Sequence, residues 1–361
     1  MRIGLIATPW VPVPPPRYGG TEAVIDNLAR GLRDAGHDVE LFTVGESTCD
    51  VTRSWLFKEC MEPMHDSIIE SLHVEAAYRA LADSDVDVIH DHTVVGPLLG
   101  SHAAPARVPV VTTVHGQFTD VARQVYSRMP SGVSIVAISH PHRACAPEVP
   151  VEAVIPHGID THRYVPGPGG GGYLAFVGRM SPEKGVHRAI EVARRSGLPL
   201  IIMVKMRAPE EHQYFEDVVK PMLGSDIELM FEPEEAERIG LVGKAEALIN
   251  PITWPEPFGL VMAEAMACGT PVVASPHGAA QEIVEPGITG FLESEVDDLA
   301  TAVGRIGELD RADCRAAAER RFSMERMVAD HVRLYRRLID RASVPTLTEQ
   351  RVARFRRRVA L

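Results

Sequence analysis

The feature that most constrains this 361-residue chain is an alternation that runs, breaks and restarts. In the first part, short apolar runs stand at RIGLIA (2–7), DVELFT (38–43), VDVIHDH (86–92), VPVVTTVH (108–115), SIVAIS (134–139) and VEAVIPHG (151–158). Amphipathic stretches lie between them. Apolar runs of this length, bounded by helices, read as strands of a parallel sheet buried on both faces. Between the first two runs, Thr21 is placed to cap a helix, Val24, Leu28 and Leu32 share one face of it, and Gly36 ends it. PGPGGGG (166–172) then reads as a flexible break. The alternation restarts with YLAFVG (173–178), a helix over 186–197, LPLIIMVK (198–205), DIELMF (226–231), AEALINP (245–251) and TPVVAS (270–275). This predicts an α/β chain of two doubly wound domains facing a cleft. The expected bounds are 1–165, the linker 166–172, 173–325, and C-terminal helices over 326–361.

The bulk numbers narrow the function classes. Hydrophobic residues make up 45% and charged residues 24%, enough to bury two sizeable cores. A net charge of −12 argues against broad nucleic-acid binding but leaves room for a local basic pocket. The five cysteines are odd in number and none forms a CxxC pair, so neither a disulfide framework nor a zinc site is expected. Met1 leads straight into RIGLIA without a charged start and a long apolar run, so the expected compartment is a reducing cytoplasm.

The chemistry concentrates in PEPFGLVMAEAMACGTPVVAS (255–275). Glu256 falls on a loop ahead of an apolar helix, and Glu264 about two turns into it at ~3.6 residues per turn. Between them Phe258, Gly259, Leu260 and Val261 supply the backbone N–H groups of a helix start, which suits a phosphate. A carboxylate for a polyol, a helix start for phosphate and a second carboxylate for ribose suggest a nucleotide-sugar site. GRMSPEKG (178–185) joins a strand to a helix and offers Arg179 and Lys184 to the cleft. Two fixed cations there stabilise charge that grows on a leaving diphosphate. PPPRYGGTEAV (14–24) leads through Gly19 and Gly20 to a second helix start, and His115 stands at the carboxyl end of a strand.

Other features read as structural. His157 and Asp160 in IPHGIDTHRY, and the histidines of SHPH (139–142) and HDH (90–92), do not assemble a metal site. Gly167–Gly172 fits GxGxxG but precedes a strand, so it fails the dinucleotide test. Asp85-Val86-Asp87 resembles a DxD metal motif but starts a strand. The tail RVARFRRRVAL (351–361) gathers Val352, Phe355 and Val359 on one face, favouring a packed helix over a membrane contact.

Glu256-x7-Glu264, with EPFG, ACGTPVVAS and GITGFLES around it, resembles the signature of the retaining family 4 glycosyltransferases (glycosyl transferases group 1). The likeness extends over nearly the whole chain. It implies the GT-B arrangement of two Rossmann-like domains, with a C-terminal helix crossing back to the first domain. It also implies a retaining, metal-independent hexosyltransferase of carbohydrate biosynthesis, without a cofactor. The donor would be a nucleotide-diphosphate sugar, UDP-sugar favoured and GDP-mannose next. The acceptor would be a hydroxyl of a glycan, lipid or small metabolite. Arg179, Lys184, Gly19 and Gly20 would meet the diphosphate, Glu256 the donor sugar, Glu264 the ribose, and His115 the reacting region. Residues near 230–233 would lie by the base. Two departures are His157, in place of an Asn, and KMRAPEE (205–211), where many members carry a Gly-rich turn. A nucleotide-sugar epimerase of the same fold and a non-catalytic nucleotide-sugar binder are the alternatives.

Overall fold

A computed structural model describes residues 1–343, apart from 18, 106 and 131. The basic tail, with the helix expected over 351–361, lies outside the described residues. The first sheet contains β1 (Arg2–Ile6), β2 (Asp38–Thr43), β3 (Thr52–Trp55), β4 (Val88–Asp91), β5 (Val110–Thr113), β6 (Val133–Ala137) and β7 (Val151–Val154). Their spatial order is β3-β2-β1-β4-β5-β6-β7, all parallel. The second sheet contains β8 (Leu174–Arg179), β9 (Leu200–Lys205), β10 (Ile227–Phe231), β11 (Leu248–Asn250), β12 (Val272–Ala274) and β13 (Gly290–Leu292), ordered β10-β9-β8-β11-β12-β13. In each sheet the strand order reverses beside the first strand. Such a reversal opens a crevice at the carboxyl ends, where open α/β sheets bind ligands.

The helix Gly20–Asp34 buries Val24, Leu28 and Leu32, and Gly36 closes it at φ 83°. Thr21 is not its cap. The helix begins at Gly20, with Gly19 in the cap position, so no cap side chain bonds the first-turn amides. The strands β3 and β13 have no counterpart among the expected runs. TRSW is largely exposed and polar, and GFL is only three residues long.

The segment 166–172 is no free tether. Gly167 N–H donates to Cys268 O (2.9 Å), Gly169 N–H to Gly243 O (3.1 Å) and Gly171 N–H to Lys244 O (2.9 Å). Glycine permits this approach, since a Cβ on Gly167 would lie 2.2 Å from Gly243 O. The passage between domains lies earlier, at Ile159. There Ile159 N–H donates to Phe322 O (2.8 Å) and Met324 N–H donates back to Ile159 O (2.9 Å). The outgoing and returning chains are therefore bonded to each other.

Beyond that point the helix Met324–Ser343 leaves the second domain. Met327, Val328, Val332, Tyr335 and Leu338 pack with Ile3, Leu5 and Leu28 in the core of the first domain. Among the described residues no helix is long and apolar enough to cross a membrane.

Candidate functional site

Two helices begin at the cleft, one from each domain. Leu260–Ala267 is preceded by Gly259 at φ 91° and ψ 64°, a left-handed conformation that favours glycine. A Cβ there would also lie 2.6 Å from Met262 Cε. A Cβ built on Gly20 would be 3.4 Å from Leu260 Cδ1, so the two helix starts face each other closely. Their unpaired N–H groups and dipoles make the gap between them favourable for an anion.

The gap opens into two adjoining chambers that share Gly20, Val177 and Leu260. The larger, about 290 Å³, is walled by the Pro14–Arg17 loop and Gly19 on one side. Gly178, Lys205, Glu232, Arg238 and Glu264 stand on the other. The smaller, about 140 Å³, is lined by His115, His157, Lys184, Asn250, Glu256 and the 257–261 backbone.

In the smaller chamber Lys184 forms an ion pair with Glu256, their side chains only 14% and 12% exposed. Trp254 Nε1 donates to the same Glu256 oxygen (3.1 Å), and the Lys184 ammonium lies 5.2 Å from the Trp254 ring centre. The loops that carry the pair are tied together, since Thr253 N–H donates to Glu183 O (3.0 Å). In the larger chamber Glu264 accepts from Tyr164 Oη (2.9 Å) and from Arg238 (2.7 Å). Burial and then the Glu264 charge push the Tyr164 pKa well up. Burial opposes the Arg238 charge, but Glu264 and Tyr164 raise its pKa overall.

His115 belongs to a buried histidine cluster. Its Nε2 is 2.9 Å from His92 Nδ1, and its ring centre is 5.1 Å from those of His92 and His157. His90 lies between Tyr335 Oη (2.7 Å) and Thr113 Oγ1 (2.9 Å), with His331 next to it. Burial, with neighbouring rings adding, pushes His115 down to about 3 and holds His90, His92 and His157 well below the usual range. His115 is therefore neutral at pH 7. It can exchange a hydrogen bond with a hydroxyl but is not a fixed cation. His115 Nδ1 has no hydrogen-bond partner among the described residues.

The structure thus brings together Gly19, Gly20, His115, Lys184, Glu256, Phe258, Gly259, Leu260, Val261 and Glu264. It does not bring Arg179 with them. Arg179 donates to Glu183 (2.9 Å) and Glu211 (3.3 Å) and lines neither chamber. Arg179, expected to enter the cleft with Lys184, is paired here with Glu183 of its own turn and with Glu211 from a distant segment. His157, expected to be structural, lines the smaller chamber, whereas Asp160 binds Arg30 (3.3 Å) at the domain crossing. Asp87 accepts from Arg2 N–H (2.8 Å) at the opposite end of the sheet from the cleft. Sequence reading missed His92, Tyr164, Lys205, Arg238 and Trp254. Only Trp254, two residues before Glu256, and His92, in HDH, carried a local signal.

Comparison with known proteins identifies the family and the fold. Residues 18–163 match the family model "Glycosyltransferase Family 4", and residues 161–321 match "Glycosyl transferases group 1". The phosphatidyl-myo-inositol mannosyltransferase of Mycolicibacterium smegmatis is 27% identical over 353 residues, covering 90% of this chain and 88% of its own. Among solved structures, AviGT4, a glycosyltransferase involved in avilamycin A biosynthesis, is 26% identical with a TM-score of 0.74, covering 94% and 98% of the two chains. Anabaena HepE, solved with UDP and glucose, shares the fold at a TM-score of 0.71 and 20% identity, covering 92% and 99%. With both domains matched in turn and two parallel-sheet domains around one cleft, the chain belongs to the family 4, group 1 glycosyltransferases of GT-B fold.

Proposed function

We propose that this glycosyltransferase moves a hexose from a nucleotide-diphosphate sugar to an acceptor hydroxyl with retention at the anomeric carbon. The observation that carries the reading is the pair of opposed helix starts, at Gly20 and Leu260, with Lys184–Glu256 on one side and Glu264 on the other. The diphosphate fits between the helix starts, the ribose at Glu264 and the sugar in the smaller chamber beside Glu256 and His115. Glu256 is held by Lys184 and Trp254, an arrangement that suits binding of sugar hydroxyls better than nucleophilic attack.

Without a carboxylate nucleophile, the reading is same-face attack. The acceptor oxygen bonds to the anomeric carbon as the bond to the diphosphate breaks, and the leaving phosphate oxygen takes the acceptor's proton. Lys184 and the 258–261 amides stabilise the charge that grows on the leaving group. Bonds already cross the cleft, from Ser139 Oγ to Pro257 O (2.7 Å) and from His140 N–H to Glu282 (2.7 Å). Closure of this kind excludes water that would hydrolyse the donor.

UDP-sugar is the favoured donor, supported by the HepE complex with UDP, and GDP-mannose is next, supported by the mannosyltransferase relative. The acceptor is a glycan, lipid or small-metabolite hydroxyl. The reaction uses neither metal nor cofactor, so EDTA leaves turnover unchanged. Thermal shift with UDP, GDP, ADP and dTDP tests the donor site. One nucleotide at a hundred times its Kd stabilises the folded chain by about 2.7 kcal/mol. No shift with any of the four, in a folded sample, refutes the reading.

A further inference from the structure

We propose that His157 is a sugar-binding residue of the donor site and helps decide which hexose the smaller chamber accepts. The inference rests on the nucleotide-sugar reading above and deepens it at one wall of that chamber, which His157 lines with His115, Lys184, Asn250 and Glu256. Among the described residues, the unbonded ring nitrogens of His92, His115 and His331 are shut away from solvent. The His157 ring also has no hydrogen bond among the described residues, but its nitrogens are not shut away, so they open on the chamber.

The ring is held in one place. Arg326 donates to both Pro156 O and His157 O (2.8 Å each) and is itself bound by Asp330 (3.0 Å). One residue on, Asn27 Nδ2 donates to Gly158 O (3.2 Å), and a Cβ on Gly158 would lie 2.7 Å from Met327 Cβ. The backbone is thus pressed between the first helix and the last. The imidazole then stacks on His115, with centres 5.1 Å apart and planes at 23°, and meets Phe258 at 5.2 Å and 68°. A side chain fixed in this way gives up little freedom when it binds.

Its chemistry suits a hydroxyl. Burial, then the neighbouring rings and Arg326, holds the imidazole neutral, so one nitrogen donates and the other accepts. A sugar hydroxyl can answer either one, whereas a diphosphate calls for donors and positive charge. A fixed ring also reads position. A hexose that carries a hydroxyl opposite the ring satisfies it, and an epimer that turns the hydroxyl away leaves a buried polar group unpaired. The family pattern has an Asn at residue 157, so this contact is particular to the chain.

The test is calorimetry with whichever of UDP, GDP, ADP and dTDP the wild type binds, alone and as its glucose, galactose and mannose derivatives. His157→Phe keeps a ring against His115 and Phe258 but removes both nitrogens. For the preferred sugar it lowers the affinity of the sugar nucleotide relative to the bare diphosphate by about fivefold or more, and narrows the preference among the three sugars. Affinity for the bare diphosphate stays within about twofold, and His157→Asn, which returns a neutral donor and acceptor, recovers part of the ratio.

An unchanged ratio in His157→Phe overturns the proposal. So does an equal loss of affinity for the bare diphosphate, which would make the ring a support of the cleft, or a loss in His157→Asn as large as in His157→Phe, which would make its shape and not its hydrogen bond the cause. A wild type that binds the diphosphate but does not distinguish the three sugars overturns this proposal alone. If the wild type binds none of the four diphosphates, the donor reading falls and takes this proposal with it.

Discussion

Lys184 and Glu256 illustrate why a single ion pair is hard to interpret by deletion. Both side chains are largely withdrawn from water, and each is the other's principal charge partner. Removing either strands the survivor in a poorly solvated place, where an unmatched charge is costly. Glu256→Gln keeps the shape and loses the charge, so turnover should fall by about 10²- to 10³-fold, comparable to loss of one preorganised electrostatic contact. Lys184→Met should do similar damage. The double variant should be no worse than the poorer single one, because each single loss already includes the stranded partner. Steady-state kcat for the four proteins checks this, and strictly additive losses would show that the pair does not act as a unit. Glu264→Gln strands Arg238 and Tyr164 instead, and its effect should fall on nucleotide affinity rather than on kcat.

At the level of elements, the helix start at Gly259 was legible because a glycine before an apolar run has a local cause. The Glu256–Glu264 spacing across it follows from helix geometry alone. Arg179 was not legible, since its direction depends on Glu211, 32 residues further on. Nor was the histidine cluster, whose members come from β4, the end of β5, the domain crossing and the last helix. The 166–172 segment looked like a tether because its glycines permit any backbone path, and the Gly243, Lys244 and Cys268 carbonyls reveal which one is taken. The crossing helix depends on a small residue of another element, Gly31, where an added Cβ would lie 2.6 Å from Val328 Cγ2. Gly31→Val should therefore overpack the contact and cost about 1–3 kcal/mol. Gly240, also in a helix, has nothing within 4 Å of a Cβ, and Gly240→Ala should gain about 0.5–1 kcal/mol. Urea midpoints should move in opposite directions for the two. A tolerated Gly31→Val would mean that the last helix does not press on the first domain as closely as described.

The whole molecule closes on itself at one place, where Ile159 meets Phe322 and Met324 and the last helix returns to the first domain. The buried histidines gather beside this closure, so acid should loosen it. An unfolded histidine titrates near ~6.5. Burial, opposed by a bond from His331 Nδ1 to Met327 O (2.9 Å), pushes His331 down to about 4. The folded state therefore binds fewer protons than the unfolded state between these values. Its contribution to stability is complete above the unfolded pKa and is lost as pH falls through that window. At pH 5 the His331 term alone is about 2 kcal/mol. Asp91 acts the other way, because burial raises it to about 6 and its protonation on acidification returns about 1 kcal/mol. Burial raises Glu22 in the same direction, but two carboxyls do not offset His90, His92, His115, His157 and His331 together, so the thermal midpoint should fall between pH 7 and pH 5. His331 lines neither chamber, so His331→Leu removes one titrating ring without touching the donor site. The stability lost between pH 7 and pH 5 should then shrink by about 2 kcal/mol relative to the wild type. The same loss in both proteins would show that the ring is not held neutral, and that the crossing helix does not depend on the charge state of the cluster.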